Sequence, residues 1–128
     1  MFQQITKGIK ISVKTSYRDF IYKGQQQYYA FGYYISIENK SKDTVKLLER
    51  FWVIFDALNY TEYVEGEGVV GETPTLKPND IYSYSSNCFL LSTTGAMGGN
   101  YKMINTETLE EFLVIIPTFQ LTTTSILN

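Results

Sequence analysis

The sequence predicts an all-β chain: an antiparallel β-sandwich of seven or eight short strands, in one domain spanning residues 1–128. Three observations predict it. Apolar residues alternate with polar ones at a period of two, the period of a strand with one face on a core. Clusters of turn-forming residues recur roughly every ten residues, as in a sandwich. No 12-residue window carries a helical stripe, and Leu47-Leu48-Glu49-Arg50, the best candidate, is too short.

Each element follows from those rules. In Ile9-Lys10-Ile11-Ser12-Val13-Lys14 the odd positions are apolar and the lysines even, which predicts a half-buried strand. Gly24-Gln25-Gln26-Gln27 reads as a polar loop. Tyr29 to Glu38 repeats the alternation, with Tyr29, Phe31, Tyr33, Ile35 and Ile37 on one face. Asn39 to Asp43 is a turn cluster. Val45 to Asp56 is the next strand. From Phe51 onward it is apolar on both parities, which predicts cover on both faces. Leu58-Asn59-Tyr60 turns the chain, and Tyr60 to Glu65 is a short strand. Gly66 to Asp80, with three Gly and two Pro, reads as an extended loop holding a short strand at Val69-Val70. Ile81 to Leu91 is a strand with Tyr82 and Tyr84 opposite Ile81. A turn at Ser92 to Gly95 leads to a glycine-containing strand at Met97 to Ile104. A turn at Asn105 to Thr108 precedes the last strand, Glu111 to Leu121. Pro117 lacks a backbone donor, so that strand belongs at an edge or carries a bulge. The core then spans about residues 5–121, with 122–128 as a frayed tail.

Composition narrows the function. The chain is 44% hydrophobic, 16% aromatic and 19% charged, with no histidine and one cysteine. Such aromatic content excludes disorder. The missing His and lone Cys88 exclude an internal disulfide, a His/Cys zinc site, a Ser-His-Asp triad and a Cys-His pair. The usual general base at neutral pH is therefore absent, and no catalytic constellation is recognisable; the expectation is a chain that is not an enzyme and needs no cofactor. A single thiol and an N-terminus without an apolar export segment point to the cytoplasm. Ile81 to Tyr101 is uncharged for 21 residues, but eleven of these are Ser, Thr, Asn or Gly, which excludes a membrane span. Residues 1–50 hold nine Lys/Arg and four Asp/Glu; residues 51–128 hold two and nine. The acidic second half argues against nucleic acid as a partner. Interleaved strands are expected to mix the two charge pools.

Four groups of residues could carry chemistry. Gly66-Glu67-Gly68-Val69-Val70-Gly71 matches GxGxxG, a pattern that brings backbone amides to a pyrophosphate at a helix N-terminus. Here Pro74 and Pro78 bar the helix, no βαβ unit surrounds the string, and Glu65, Glu67 and Glu72 would repel phosphate. The glycines then serve special backbone angles or close packing. Glu62, Glu65, Glu67 and Glu72 form an oxygen-rich set for weak magnesium or calcium binding, or a solvated acidic loop. Glu65 and Glu67 share a parity that Glu62 does not. Arg50 and Trp52 share one strand face, as a protein-binding hot spot or as a buried cation-aromatic pair, with Asp56 placed to pair with Arg50. Cys88 and most tyrosines read as packing residues.

Several ordered motifs resemble the ApaG family. They are Glu62 to Pro74, Tyr84-Ser85-Ser86-Asn87-Cys88, and Gly95-Ala96-Met97-Gly98-Gly99-Asn100-Tyr101-Lys102-Met103. The opening Thr6 to Val13 and the strand Tyr33 to Asn39 fit as well, so the likeness runs from about Ile5 to Phe119. The family usually has Arg-His-Trp where this chain has Arg50-Phe51-Trp52, and a basic residue where it has Glu65; its Gly-Cys-Pro stretch is Asn87-Cys88-Phe89 here. The resemblance implies an immunoglobulin- or fibronectin type III-like sandwich. It also implies an association with cobalt resistance and magnesium efflux, as for bacterial relatives, and a protein-recruiting role, as in eukaryotic F-box proteins. The expectation is a non-catalytic module that binds a protein partner through Glu65, Gly66, Glu67, Gly68, Val69, Val70, Gly71 and Glu72, with Arg50 and Trp52. The alternative is binding or hydrolysis of a nucleotide or pyrophosphate compound at Gly66–Gly71. Unpaired sheet edges add the expectation of a homodimer.

Overall fold

A computed structural model describes residues 1–124. Nine strands form two antiparallel sheets stacked as an immunoglobulin/fibronectin type III-like sandwich. One sheet runs β1 (Phe2–Thr6), β2 (Ile9–Lys23), β3 (Gln26–Asn39), β7 (Ile81–Leu90). The other runs β5 (Glu62–Glu67), β4 (Val45–Asp56), β8 (Thr94–Asn105), β9 (Glu111–Thr122), with the two-residue β6 (Thr75–Leu76) also on β4. The extra strands relative to expectation are β1 and β6. Phe2–Thr6 lacks strict alternation and is held by pairing with Ile9–Val13, which local pattern does not show.

Other boundaries shift for similar reasons. β2 runs on to Lys23 because it pairs with β3 along its length, across a bulge between Tyr17 and Phe20. The expected polar loop shrinks to a turn at Gly24-Gln25. Val69-Val70 is no strand: Val69 bridges Glu72 and the chain reverses at Val70-Gly71. Pro117 satisfies both of its alternatives. β9 is an edge strand, and its register to β8 slips between Met97/Gly99 and Phe119/Ile116, leaving Pro117 outside the ladder. Thr122 closes β9; positions 125–128 of the expected tail lie outside the described residues.

Inward-facing residues of both sheets fill the core. Ile9, Ile11, Val13, Ile35 and Ile37 are fully buried from one sheet, and Leu47, Tyr101, Met103, Val114 and Phe119 from the other. Tyr33, Trp52 and Phe119 meet at its centre, with ring centroids 5.5, 5.9 and 6.0 Å apart. The Tyr84 and Tyr101 hydroxyls share a buried hydrogen bond of 2.5 Å across the sheets. Each supplies the partner that burial would otherwise deny the other. Buried Asn39 donates to the Asp43 and Leu76 carbonyls (2.8 and 3.0 Å). Among the described residues no buried side-chain polar atom lacks a partner.

The charges do not mix as expected. Three of the four strands in the first sheet come from the first 39 residues, and that sheet carries Lys10, Lys14, Arg18 and Lys23 against Asp19 and Glu38. The second sheet carries Glu49, Asp56, Glu62, Glu65, Glu67 and Glu111 against Lys46, Arg50 and Lys102. The sequence asymmetry thus survives as two sheets of opposite sign.

Candidate functional site

The site starts from the pairing of β5 with β4, in which Gly66 stands opposite Arg50 and Val64 opposite Trp52. Without a Cβ at Gly66, the Arg50 guanidinium lies flat against the backbone; a Cβ there would sit 2.7 Å from Cζ. Arg50 Nη1 donates to the carbonyl oxygens of Glu67 (2.9 Å) and Gly68 (3.0 Å), anchoring the end of β5. Beyond it Gly68 takes φ +61° and donates its N–H to Leu48 O at 2.8 Å. Val69 and Glu72 then exchange backbone hydrogen bonds of 2.8 and 2.9 Å. Val70 (φ 41°) and Gly71 (φ 81°) make the tight reversal, since two consecutive left-handed residues match the twist of a hairpin. The Val69 side chain is fully buried and pins the hairpin to the core.

This geometry decides how the glycine string is used. The amides of Gly68, Val69 and Glu72 all donate to protein carbonyls, so they form no phosphate cradle. The string ends in a hairpin and opens no helix. The four glutamates are also separated. Glu65 and Glu67 lie on the outer face of β5, while Glu62 belongs to the inner face with Val64 and Gly66. Among the described residues no group of three or more His, Cys, Asp or Glu is placed to hold a metal ion.

Arg50 and Trp52 do share the inner face of β4, but Trp52 is a core residue, only 4% exposed. Arg50 is half-buried and turned to the Glu67 and Gly68 carbonyls. Asp56 does not pair with Arg50. Its carboxylate accepts the amides of Leu58 (3.1 Å), Leu91 (2.6 Å) and Ser92 (3.2 Å), tying β4 to the β7–β8 turn. Inner-face residues of β4 and β5 and the neighbouring Ser86 and Cys88 of β7 line a cleft of about 340 Å³ between the sheets. Burial, with smaller contributions from Glu62 and Asp56, pushes the Cys88 thiol up to about 12, so it stays protonated and unreactive near neutrality.

The outer face of this sheet holds what sequence reasoning missed. β4 is not covered on both faces: Phe55 is half exposed, and Phe51 and Val53 are only half-buried. Tyr63 on β5 is exposed opposite Val53, and Leu113 and Ile115 on β9 are exposed on the same face across β8. The Phe51 and Tyr63 rings stack at 6.3 Å and 23°. A shallow depression of about 500 Å³ lies at one end of this face, with Phe51, Asn100 and Leu113 among its lining and Glu49, Glu65, Glu67 and Lys102 around it. Lys102 is engaged by Glu111 (3.3 Å) and Glu49 (3.9 Å), whereas among the described residues Glu65 and Glu67 have no cation within 4.0 Å. The signal was present in the doubled apolar parity after Phe51. A second buried layer and an open binding face write the same pattern.

Comparison with known proteins places this architecture. The family model described as the ApaG domain matches residues 22–105. Protein ApaG of Brucella anthropi is 45% identical over 122 residues, 94% of this chain and 92% of that protein. Protein ApaG of Brucella canis is 40% identical over 121 residues, with the same coverage of each. An X-ray structure of a structural-genomics target superposes with TM-score 0.86 at 41% identity, covering 94% of this chain and 90% of the other. The crystal structure of the putative ApaA protein from Bordetella pertussis gives TM-score 0.76 at 30% identity, covering 92% and 97%. With its sandwich, its glycine hairpin clamped by an arginine, and relatives matching nearly end to end, the chain belongs to the ApaG family.

Proposed function

We propose that the chain is a non-catalytic module that binds a protein partner through the outer face of the β5–β4–β8–β9 sheet. The observation that carries this reading is the set of exposed or half-buried apolar residues on that face, Phe51, Phe55 and Tyr63 on one side of β8 and Leu113 and Ile115 on the other, beside Glu65 and Glu67, whose carboxylates have no cation within 4.0 Å among the described residues. Aromatic anchors with a charged rim suit protein recognition, and the rim's sign selects a partner with basic residues around an apolar patch. The hairpin positions the acidic end of that face. Non-catalytic action is supported by the lack of histidine, the protonated Cys88 thiol and the engagement of Asp56 with three backbone amides. Any effect on cobalt or magnesium handling would then run through the partner.

The test is affinity capture with the wild type, a Tyr63→Ala/Glu67→Arg variant, and a Lys10→Glu/Lys14→Glu variant on the opposite sheet. A partner lost with the first variant and kept with the second is the expected result. Equal recovery by all three refutes the assignment of this face. Calorimetric heat from a diadenosine polyphosphate with magnesium, abolished by changes at Gly66–Gly71, would instead support the nucleotide reading.

A further inference from the structure

The sandwich has four sheet edges, and three are blunted against pairing. β1 is only five residues long, and its Thr6 Oγ1 accepts the N–H of Ile115 on β9. β9 carries Pro117 and a register slip. β5 presents three glutamates in six residues. The fourth, β7, is ten residues long, regular, uncharged and free of Pro and Gly.

Backbone direction on β7 follows from its neighbours. Lys40 N–H donates to Gly8 O (2.7 Å) and Asn39 N–H to Asp80 O (3.0 Å). Even residues of β3 therefore bond toward β2 and odd ones toward β7. Through the Ile37↔Tyr82 and Ile35↔Tyr84 register, even residues of β7 are the ones bonded to β3. The N–H and C=O of Ile81, Ser83, Ser85, Asn87 and Phe89 are left pointing out of the free edge.

We propose that β7 pairs antiparallel with β7 of a second copy across a two-fold axis at Ser85, joining two four-stranded sheets into one of eight strands. The side chains select this register. It sets Ile81 against the partner copy's Phe89, Ser83 against Asn87 and Ser85 against itself, so apolar meets apolar at both ends and polar meets polar between. Charge selects it too. Asp80 and Glu38 flank the Ile81 end, whereas Lys23 sits 4.4 Å above the Phe89 ring. Antiparallel pairing brings each acidic end to a basic one. This contact is independent of the outer face of the other sheet.

Sedimentation equilibrium on the full chain, from micromolar to millimolar, tests the proposal. A monomer–dimer equilibrium is expected. Ser85→Pro removes the central edge donor in both copies and should weaken it at least about tenfold; Lys23→Glu, which sets like charges together, should also weaken it. Ser85→Cys fixes the register. Hydrogen-bonded antiparallel partners have Cα atoms about 5.5 Å apart, so a thiol crosslinker of a few ångströms should join two Ser85→Cys chains. It should fail on Ser83→Cys, whose symmetry mates would be offset by four residues, about 13 Å. Both side chains are exposed, so neither change threatens the fold. A strict monomer at millimolar concentration overturns the proposal, as does equal crosslinking of the two variants.

Discussion

Gly68 and Gly71 belong to one sequence motif, yet the structure assigns them unequal roles, and alanine at each should reveal the difference. Gly71 has φ +81° and open space where a Cβ would point. Gly71→Ala therefore meets only the left-handed backbone penalty, about 1–2 kcal/mol. Gly68 has φ +61°, and its Cβ would lie 2.1 Å from the Glu72 carbonyl oxygen. That atom accepts the Val69 amide, so it cannot retreat without opening the hairpin. Gly68→Ala adds to the backbone penalty the loss of the two Val69–Glu72 hydrogen bonds, about 0.5–1.5 kcal/mol each. The sum is roughly 2–5 kcal/mol. With a urea m-value of about 2 kcal/mol/M, the midpoint should fall by roughly 1–2.5 M for Gly68→Ala and by about 0.5–1 M for Gly71→Ala. Urea unfolding followed by Trp52 fluorescence measures both. Equal shifts, or a Gly68→Ala shift below that of Gly71→Ala, would refute the steric argument and return the string to a role outside the fold.

Tyr101→Phe should destabilise by about 1–3 kcal/mol, because the Tyr84 hydroxyl is left buried without its partner. The Tyr84→Phe/Tyr101→Phe double variant should recover most of that loss, and a double-mutant cycle in urea reads the coupling. Trp52→Ala removes the ring at the core centre and should cost about 3–5 kcal/mol, read in urea by circular dichroism because Trp52 is the single tryptophan. Arg50→Gln should cost roughly 1–2 kcal/mol, given its part exposure, and should speed amide exchange at Gly68 to Glu72 before it affects the core. Cys88 has a native pKa raised to about 12 from 9.0, so the protonated thiol is favoured by folding. Its contribution is full below pH 9 and is lost as pH rises from 9 toward 12. Cys88→Ala should flatten the alkaline decline in stability across that window, and native Cys88 should resist alkylation until urea unfolds the chain.

Most of the strands were legible along the chain because alternation at Ile9–Val13 or Tyr29–Ile37 is a local consequence of burying one side of a pleat. The absence of histidine and the count of one cysteine are likewise complete in the sequence, and they bound the chemistry without coordinates. Residues that depend on a partner strand were not legible. Phe2–Thr6 is a strand because β2 is beside it, and Val69-Val70 is a turn because Glu72 folds back to bridge Val69. Arg50 and Asp56 share a face by parity, but backbone carbonyls and amides from other segments reached each of them first.

Local pattern and composition were enough to establish a β-sandwich, the absence of histidine and a lopsided charge. Composition and period are properties of neighbouring residues, and they survive any arrangement of the strands. The fold in space settled which apolar side of β4 meets the core and which meets water, that one sheet is net positive and the other net negative, and that β7 is the unguarded edge. Those outcomes depend on strand order, and strand order is set by pairings between residues far apart along the chain.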